Sequence, residues 1–415
     1  MMNSFDYVYT IFLFIAIYIQ VFFLILFFEH TDSFKDEPEG DIFPLEDYLS
    51  ATFLIPCWNE EETVLKTIES VLALDYPKHK FHIIVIDDGS TDRTWEMLQK
   101  YQGHPQITLL TKENGGKHSA LNFGLTKVTT DLVISFDADT EIHADALMKA
   151  VPSFMKDPNL MALGGTVLIS SPKTFVQKAQ EIEYQIFSFT KKMLGLAQGV
   201  FVVPGAFSLF RREVFEIVGG YRKAYNLEDI ELTMRMHTHG LKIDHSHNAI
   251  VKTKGPATVK GLFKQRLRWS HGFILNMIEY RRMFMNTKFK NLGLFTLPMS
   301  VFTYFLLLFV FSYSVYKVVL SVYETILKLY LVGFSEFKWP TVDFFFVNTK
   351  AYAIMAFFVY FTIITSYVIG RHISGVKKHN FWNIPYFIFI FSIIAPFWVM
   401  KSIYSWITAK HVSWR

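Results

Sequence analysis

The feature that most constrains this chain is a run of 22 residues without a charged side chain, residues 7–28. At about 1.5 Å per residue, a helix of this length crosses a hydrocarbon core of about 30 Å. Residues 1–6 contain no Lys or Arg, and Glu29-His30 follows the run. A signal peptide would instead have a basic start and a cleavage site of small residues. We therefore expect residues 1–30 to form a retained transmembrane helix.

Further uncharged runs near the C-terminus are each long enough to cross a bilayer. They are residues 293–316, 351–370 and 381–400. Residues 317–334 are apolar but contain Lys317, Glu324 and Lys328. This pattern predicts either a poor span or a separate helix lying in the interface. Residues 293–415 are thus expected to hold three or four spans.

About 260 residues with ordinary polar content separate the first span from the second. Basic residues lie just before the second span, at Arg281, Arg282, Lys288 and Lys290. The positive-inside rule therefore predicts a multi-pass protein of the cell membrane with this polar part in the cytoplasm. The topology of the C-terminal part stays open, because basic residues follow two of its runs. They are Arg371, Lys377, Lys378, Lys401, Lys410 and Arg415.

The composition supports a membrane protein with a folded polar domain. Of the 415 residues, 51% are hydrophobic and 19% are charged, which excludes a disordered chain. The net charge of +4 gives no sign of a nucleic-acid partner. The single cysteine, Cys57, excludes a disulfide framework.

Apolar strand patterns alternate with helical patterns in the polar part, which predicts an α/β domain with a mostly parallel sheet. The expected strands are residues 52–56, 81–86, 106–111, 131–136 and 162–170. Helices are expected over residues 60–74, with Asn59 as the cap, and over 91–101, 117–128 and 143–154. Ligands bind at the carboxyl ends of such strands. Five polar residues follow strand ends: Asn59, Asp87, Asp88, Asp137 and Asp139.

Asp137-Ala138-Asp139 directly follows a predicted strand. Two carboxylates at this spacing suit Mg²⁺ or Mn²⁺, which bind one or two carboxylates together with substrate phosphates. The alternative is a pair of aspartates that cap a turn. The position after a strand favours the metal.

The segment Asp87-Asp88-Gly89-Ser90 either forms a turn or accepts hydrogen bonds from a nucleoside. The chain contains no G-x-G-x-x-G sequence, which disfavours a dinucleotide cofactor. Gly115-Gly116-Lys117 lacks the upstream glycine and the following Ser or Thr of a P-loop, so a P-loop is rejected. Lys117 could still reach a phosphate from the start of a helix.

Glu228-Asp229 begins a predicted helix that runs to residue 238. Acidic residues stabilise a first helical turn through the helix dipole alone. In a substrate crevice, a carboxylate here could instead be the general base that deprotonates an attacking sugar hydroxyl.

An amphipathic helix is predicted over residues 259–278, within an interfacial segment at 256–292. Gln265, Arg268 and Trp269 share one face of this helix because they are three and four residues apart. The segment is either a simple membrane anchor or a site where Trp stacks on a sugar and Arg pairs with phosphate.

Taken together, these motifs resemble those of the processive family 2 glycosyltransferases, which include cellulose, chitin, hyaluronan and poly-N-acetylglucosamine synthases. The length and the arrangement of spans, with a Trp-Arg tail, are most similar to bacterial poly-β-1,6-N-acetylglucosamine synthases. The motifs are Pro56-Cys57-Trp58-Asn59-Glu60-Glu61, Asp87-Asp88-Gly89-Ser90, Asn114-Gly115-Gly116-Lys117, Asp137-Ala138-Asp139, Glu228-Asp229 and Gln265-Arg266-Leu267-Arg268-Trp269. The chain departs from the family pattern at Leu227, where Thr is usual, and at Trp58, where Tyr or Phe is usual.

The resemblance implies a GT-A (Rossmann-like) fold for residues 31–255 and a role for each motif. Nine residues would form the nucleotide-sugar site: Pro56, Asn59, Glu60, Asp87, Asp88, Lys117, Asp137, Ala138 and Asp139. Asp139, helped by Asp137, would bind Mg²⁺ or Mn²⁺. Asp229 would be the catalytic base, with Glu228 beside it. The acceptor site would include Gly205, Ala206, Gln265, Arg266, Arg268 and Trp269.

The implied function is a processive, inverting transfer of sugar from a UDP-sugar, most similar to the use of UDP-GlcNAc, with extrusion of an exopolysaccharide. The implied partners are the UDP-sugar, the growing polysaccharide and the lipid bilayer. A small membrane subunit or export and modification machinery is a further expectation. UDP-glucose, or a hyaluronan-type or chitin-type product, would use the same motifs.

Other functions fit the residues less well. A non-processive transferase that adds one sugar to a lipid would keep the metal pair and the base, but the Gln-Arg-Trp face argues against it. A transporter would be expected to place charges inside its spans, and the four cleanest runs have none. His237, His239, His245 and His247 match no familiar zinc spacing.

Overall fold

A computed structural model describes residues 4–31, 44–333, 351–376 and 380–408 of the chain. Lys377 and Lys378 lie outside these residues, as do Lys410 and the Trp414-Arg415 tail. The structure therefore does not bear on the C-terminal topology or on the Trp-Arg tail to the extent that these rest on the residues named here.

Within the described residues, one eight-stranded sheet forms the centre of the polar domain in the order β3-β2-β1-β4-β7-β6-β8-β5. The strands are β1 (Ala51–Cys57), β2 (Phe81–Asp87), β3 (Ile107–Thr111), β4 (Leu132–Phe136), β5 (Thr140–Ile142), β6 (Leu160–Ile169), β7 (Phe207–Arg211) and β8 (Lys242–Thr253). The first four in this order pair in parallel, and β6 also pairs in parallel with β8. The predicted α/β class and the mostly parallel sheet are confirmed.

Three strands were not predicted from the sequence. Strand β7 runs antiparallel between β4 and β6, and β5 runs antiparallel to β8 at the sheet edge. Strand β5 has only three residues, and β8 alternates irregularly between buried and accessible positions. Neither has the continuous apolar run that marks a strand buried on both faces.

Helices cover both faces of the sheet. They are α1 (Ser4–Glu29), α2 (Val64–Leu72), α3 (Thr94–Leu98), α4 (Lys117–Leu125), α5 (Ala146–Lys156), α6 (Phe175–Leu196), α7 (Glu213–Val218), α8 (Glu228–Thr238), α9 (Val259–Glu279), α10 (Leu297–Val332), α11 (Ala351–Ile373), α12 (Ile384–Phe389) and α13 (Ala395–Ile407). Side chains alternate across each strand, so Phe53 and Ile55 pack with α2, α3 and α5, whereas Leu54 packs with α4, α6 and α8. The second layer also includes Phe23 of α1, which joins the first apolar helix to the domain core.

Three helical stretches are long and apolar enough to cross a membrane: Tyr7–Glu29, Leu292–Leu331 and Phe381–Ile407. Phe357–Ile373 is a shorter apolar helix. Helix α1 packs against α10 through Phe12, whose ring centroid lies 5.4 Å from that of Phe302, and against α11 through a hydrogen bond from Ser366 to Gln20. These helices therefore form one packed group.

Residues 317–334 were expected to form a poor span or a helix lying in the interface, and the described part of this stretch is continuous with the preceding apolar run. Helix α10 continues without a break from Leu297 to Val332, which is 36 residues. Its length of about 54 Å exceeds the hydrocarbon core of about 30 Å. The helix contains no Gly or Pro near Lys317 and Lys328 that would interrupt it. Both lysine side chains are exposed, so neither charge is buried inside the protein.

Helix α6 connects the sheet to the apolar helices, and the sequence analysis did not predict it. Asn380 and Asn383 each donate a hydrogen bond of 2.7 Å to Glu181. Ser374 of the turn after α11 donates to Ser188. At Gly370, an added Cβ would clash with the backbone oxygen of Gln185, so α11 touches α6 backbone to backbone.

This close approach predicts that Gly370→Ala destabilises the packing of α11 on α6. Overpacking of a close contact costs about 1–3 kcal/mol, and a backbone oxygen cannot move aside as a flexible side chain does. Thermal unfolding of the full chain in detergent should show a lower Tm for Gly370→Ala. Val368→Ala on the exposed side of the same helix is the control. Equal Tm values for the two variants would contradict the packing.

Candidate functional site

The predicted polar residues lie along one edge of the sheet, at the carboxyl ends of β1, β2 and β4. Cys57 at the end of β1 is in register with Asp87 at the end of β2. Asp137-Ala138-Asp139 follows the end of β4. Thr67 of α2 donates a hydrogen bond of 2.8 Å to the backbone oxygen of Ala138, which holds this turn against the domain.

Asp88 is buried and organises the loop before α4. It accepts hydrogen bonds from the Lys112 amine at 2.8 Å and from the backbone N–H groups of Gly115 and Gly116 at 3.1 and 2.7 Å. Gly116 has a φ of 85°, a left-handed conformation that glycine adopts without strain. Asp88 therefore fixes the loop that delivers Lys117, and its predicted contact with a nucleoside stays a prediction.

Asn59 is not the helix cap that the sequence predicted. Helix α2 begins only at Val64. Asn59 has a φ of 57°, and its side-chain oxygen accepts a hydrogen bond of 2.8 Å from the N–H of Thr91. Its own N–H donates to the Ser90 hydroxyl. The short polar side chain of Asn59 thus ties the loop after β1 to the loop after β2.

Other residues of the predicted nucleotide-sugar set lie at the ends of β1 and β2 or on the loops that follow. Pro56 is within β1. Glu60 follows Asn59, and its carboxylate accepts a hydrogen bond of 2.8 Å from the Thr63 hydroxyl. Asp87 is buried and accepts weak hydrogen bonds from the Ser90 N–H and the Thr111 hydroxyl.

Lys117 joins two acidic motifs that are distant in sequence. Its amine lies 2.7 Å from Asp137 and 2.9 Å from Glu228, with the side chain only 15% exposed. Burial alone would lower the pKa of Lys117, but the charges of Asp137, Glu228 and Asp229 raise it well above the usual lysine range. The amine is therefore a fixed positive charge between the two motifs.

Glu228 and Asp229 begin α8 but differ in their protonation. Burial raises the pKa of Glu228, but the ion pair with Lys117 outweighs burial and the net pKa is lowered, with a further contribution from Arg268. The pKa of Asp229 is raised by burial and by the charge of Glu228. Of the two, Asp229 holds a proton more readily, which is the property that a general base requires.

The segment before β7 contacts Asp229 directly. The N–H of Gly205 donates a hydrogen bond of 3.2 Å to one carboxylate oxygen, and the N–H of Ile230 donates one of 2.8 Å to the other. A Cβ on Gly205 would lie 3.0 Å from the Lys117 amine. Gly205 and the neighbouring Ala206 are thus adjacent to the acidic pair, where the resemblance places the acceptor.

Asp139 is the residue best suited to a divalent cation. Burial raises its pKa to about 7, with further contributions from the charges of Asp137 and Glu60. It accepts hydrogen bonds from the hydroxyls of Thr140 and Thr253 at 3.2 and 3.3 Å. A buried carboxylate crowded by like charges fits a hard cation, which would neutralise it.

Few side chains of the described structure are placed to coordinate a metal ion. Among the residues that the structure describes, no group of three or more His, Cys, Asp and Glu side chains could hold a metal ion. Asp139 and Asp137 would therefore need ligands from phosphate and water. Mg²⁺ and Mn²⁺ sites in enzymes that act on phosphates are commonly built this way.

The residues of α9 that were predicted at the acceptor site have different polar partners. The charge of Arg268 reaches Glu228, and Trp269 packs with Leu227 and Ile230 on either side of the acidic pair. Gln265 has a side-chain oxygen without a hydrogen-bond partner in the described structure. Arg266 instead lies buried and pairs with Glu183 of α6.

The sequence analysis missed two residues of α6 near the site. Glu183 is the buried partner of Arg266. Lys191 lies near Asp229, and burial lowers its pKa to about 8. The capping box formed by Thr174 and Gln177 marks the start of α6, and this signal was present in the sequence.

The comparison with known proteins agrees with this geometry. The sequence model of the family described as "Glycosyl transferase family 2" matches residues 52–219. Residues 52–219 are therefore similar to family 2 glycosyltransferase domains, and the predicted resemblance is confirmed.

Two curated relatives are poly-beta-1,6-N-acetyl-D-glucosamine synthases. The protein from Staphylococcus epidermidis is 34% identical over 248 residues, which is 59% of each chain. The protein from Staphylococcus aureus (strain COL) is 35% identical over 242 residues, which is 58% of each chain. The matches thus span about three fifths of the length of these relatives.

A solved structure has the same fold. It is a mannosyltransferase from Pyrobaculum calidifontis in complex with GDP-Man and Mn²⁺, with a TM-score of 0.56 and 18% identity. The alignment covers 89% of this chain and all of that one. The predicted GT-A fold is confirmed.

The arrangement around Lys117 predicts a specific pH dependence of stability. In Lys117→Met, Asp137, Glu228 and Asp229 lose their counter-charge, and breaking such a buried pair costs about 3–5 kcal/mol. The folded-state pKa values of Glu228 and Asp229 then rise, because the charge of Lys117 lowers both. The unfolded state therefore binds fewer protons than the folded state at neutral pH, and stability falls as the pH increases.

We therefore expect the Tm difference between wild type and Lys117→Met to be larger at pH 8 than at pH 5.5. Thermal unfolding in a series of buffers measures it. Lys127→Met, at an exposed position just after α4, should show no such trend. A Tm difference between wild type and Lys117→Met that is the same at all pH values would show that Lys117 does not compensate the charges of these carboxylates.

Proposed function

We propose that this protein is a membrane-bound, inverting and processive β-glycosyltransferase that uses UDP-GlcNAc to extend a poly-N-acetylglucosamine chain. The reacting groups would face the cytoplasm, and the polymer would pass through the membrane part of the same chain. The observation that carries the proposal is the Lys117 bridge, which brings Asp137 and Asp139 beside Glu228 and Asp229. The relatives' names support GlcNAc as the sugar.

The donor would bind at the carboxyl ends of β1, β2 and β4. There, Asp87 ends β2 and Asp88 begins the loop after it, where a nucleoside would be recognised. Asp139 and Asp137 would hold Mg²⁺ or Mn²⁺ against the donor diphosphate. When bound, the cation supplies positive charge that stabilises the departing UDP.

Asp229 would then act as the general base. Its raised pKa and its fixed orientation, held by the N–H groups of Gly205 and Ile230, suit removal of a proton from an acceptor hydroxyl. The acceptor oxygen attacks the anomeric carbon, and the bond from that carbon to the UDP oxygen breaks. Lys117 keeps Glu228 ionised beside the base, so the proton goes to Asp229.

The acceptor sugar would stack on Trp269, with Arg268 and Gln265 on the same helix to bind its polar groups. Helix α9 packs against α13 and contacts α10 through Phe273, whose ring stacks on that of Tyr304 with a centroid distance of 5.1 Å. The acceptor site therefore adjoins the apolar helices. This continuity favours processive elongation over a single transfer to a lipid.

Activity tests the proposal directly. The full chain in detergent, given Mn²⁺ and either UDP-GlcNAc or UDP-glucose, should release UDP and form a long product from UDP-GlcNAc only. Removal of a general base lowers rates by about 10²–10⁴, so Asp229→Asn should lose at least 100-fold in UDP release. Asp75→Asn, an exposed aspartate before β2, is the matched control.

The size of the product separates the alternatives. A short glycolipid would indicate a single-transfer enzyme, and a long product from UDP-glucose would identify a different polymer. Unchanged activity of Asp229→Asn would show that Asp229 is not the base.

Cation binding should be linked to protonation of Asp139. Because the pKa of Asp139 is raised to about 7, protons compete with the cation below this pH. Mn²⁺ together with UDP should raise the Tm more at pH 8 than at pH 6. Asp139→Asn should abolish this increase, and Asp145→Asn, an aspartate on the surface, should retain it. An equal Mn²⁺ effect at both pH values would exclude Asp139 as the linked group.

A further inference from the structure

A buried ion pair joins α6 to the helix that carries the predicted acceptor residues. Glu183 on α6 lies 2.5 Å from Arg266 on α9, and both side chains are less than 10% exposed. Burial raises the pKa of Glu183 to about 7, and the charge of Arg266 acts in the opposite direction. In a buried ion pair, the cost of desolvation offsets most of the electrostatic attraction. A gain in stability alone therefore does not explain why the protein contains the Glu183–Arg266 pair.

The guanidinium of Arg266 also contacts two aromatic rings. Its central carbon lies 4.3 Å from the ring centroid of Trp269, one turn further along α9, and 5.9 Å from that of Phe391. Phe391 belongs to the π-helical turn Ile390–Ile394 between α12 and α13. A planar guanidinium stacks on aromatic faces, so Arg266 sits between the indole ring and the last apolar segment.

Glu183 determines where this guanidinium lies. In the described structure, Nε of Arg266 has no hydrogen-bond partner, whereas its Nη2 donates to Glu183. The contact with Glu183 therefore sets the orientation of the plane that faces Trp269. Trp269 itself is only partly buried and packs with Leu227 and Ile230, which flank the acidic pair.

We propose that Glu183 is a positioning residue for acceptor binding, which acts through Arg266 to hold the Trp269 ring where an acceptor sugar stacks. This inference rests on the proposed function, because it needs a sugar acceptor at Trp269. The donor residues lie at the strand ends, away from this contact. Loss of Glu183 should therefore weaken acceptor binding and leave donor binding intact.

The test compares the two substrates in Glu183→Gln, using the full chain in detergent with UDP-GlcNAc as donor and a β-1,6-linked N-acetylglucosamine tetramer as acceptor. Loss of a desolvated cation–π contact corresponds to roughly a 10-fold weakening. We expect the acceptor KM to rise by this factor. The donor KM and the slow hydrolysis of UDP-GlcNAc without acceptor should not change.

A double mutant tests whether Glu183 acts through Trp269. If it does, Glu183→Gln combined with Trp269→Ala should have the same acceptor KM as Trp269→Ala alone. Arg266→Lys keeps the charge but not the planar group, so it should raise the acceptor KM as Glu183→Gln does, and it decides the question if Glu183→Gln fails to fold. Glu181→Gln, on the same helix but bonded to Asn380 and Asn383, is the matched control and should behave as wild type.

Two results would overturn the inference. One is an unchanged acceptor KM in Glu183→Gln or Arg266→Lys, and the other is a multiplicative effect of Glu183→Gln in the Trp269→Ala background. Failure of the proposed function is a separate result, because wild-type protein would then transfer no sugar to the tetramer.

Discussion

The reactive edge of this protein depends on one buried amine. Lys117 is the positive charge that allows Asp137, Glu228 and Asp229 to lie together away from bulk water, because uncompensated carboxylates in this setting would take up protons. Its own position follows from Asp88, which holds the glycine loop at the start of α4. A chain of charge contacts thus connects β2, β4 and α8. These contacts lower the pKa of Glu228, whereas burial and the charge of Glu228 raise that of Asp229.

Helix α6 connects the sheet to the apolar helices. Its apolar face completes the sheet layer that also includes α4 and α8, and its other side receives α11 and α12. Polar contacts at Glu181 and Ser188 fix this side, and the Glu183 pair with Arg266 extends it to α9. One helix therefore contacts the sheet, α9 and the apolar helices.

The strands and the site motifs were predictable where a single local property decides the structure. Strands β1, β2 and β4 are continuous apolar runs, and a polar residue after each run places it at the ligand edge. Helix α6 was not predicted because its buried side includes the polar residues Gln180, Glu183 and Gln185. In the sequence alone, such residues are typical of a side of a helix that faces solvent. The sequence did not show that residues 317–332 continue the preceding helix, because charged side chains alone neither end a helix nor mark its continuation.

The sequence by itself determined the class of fold, the family resemblance, the apolar helices and the motifs, because periodicity, hydropathy and spacing are local properties of a chain. Only the tertiary structure decided which motifs meet. The contact of Lys117 with Glu228 spans 111 residues, and that of Glu183 with Arg266 spans 83. Such pairings depend on strand order and on helix packing, and the roles of Asp88, Asn59 and Arg266 followed from them. Charge and burial act through space, so the protonation of Asp229 and Asp139 could be assigned only after the chain was folded.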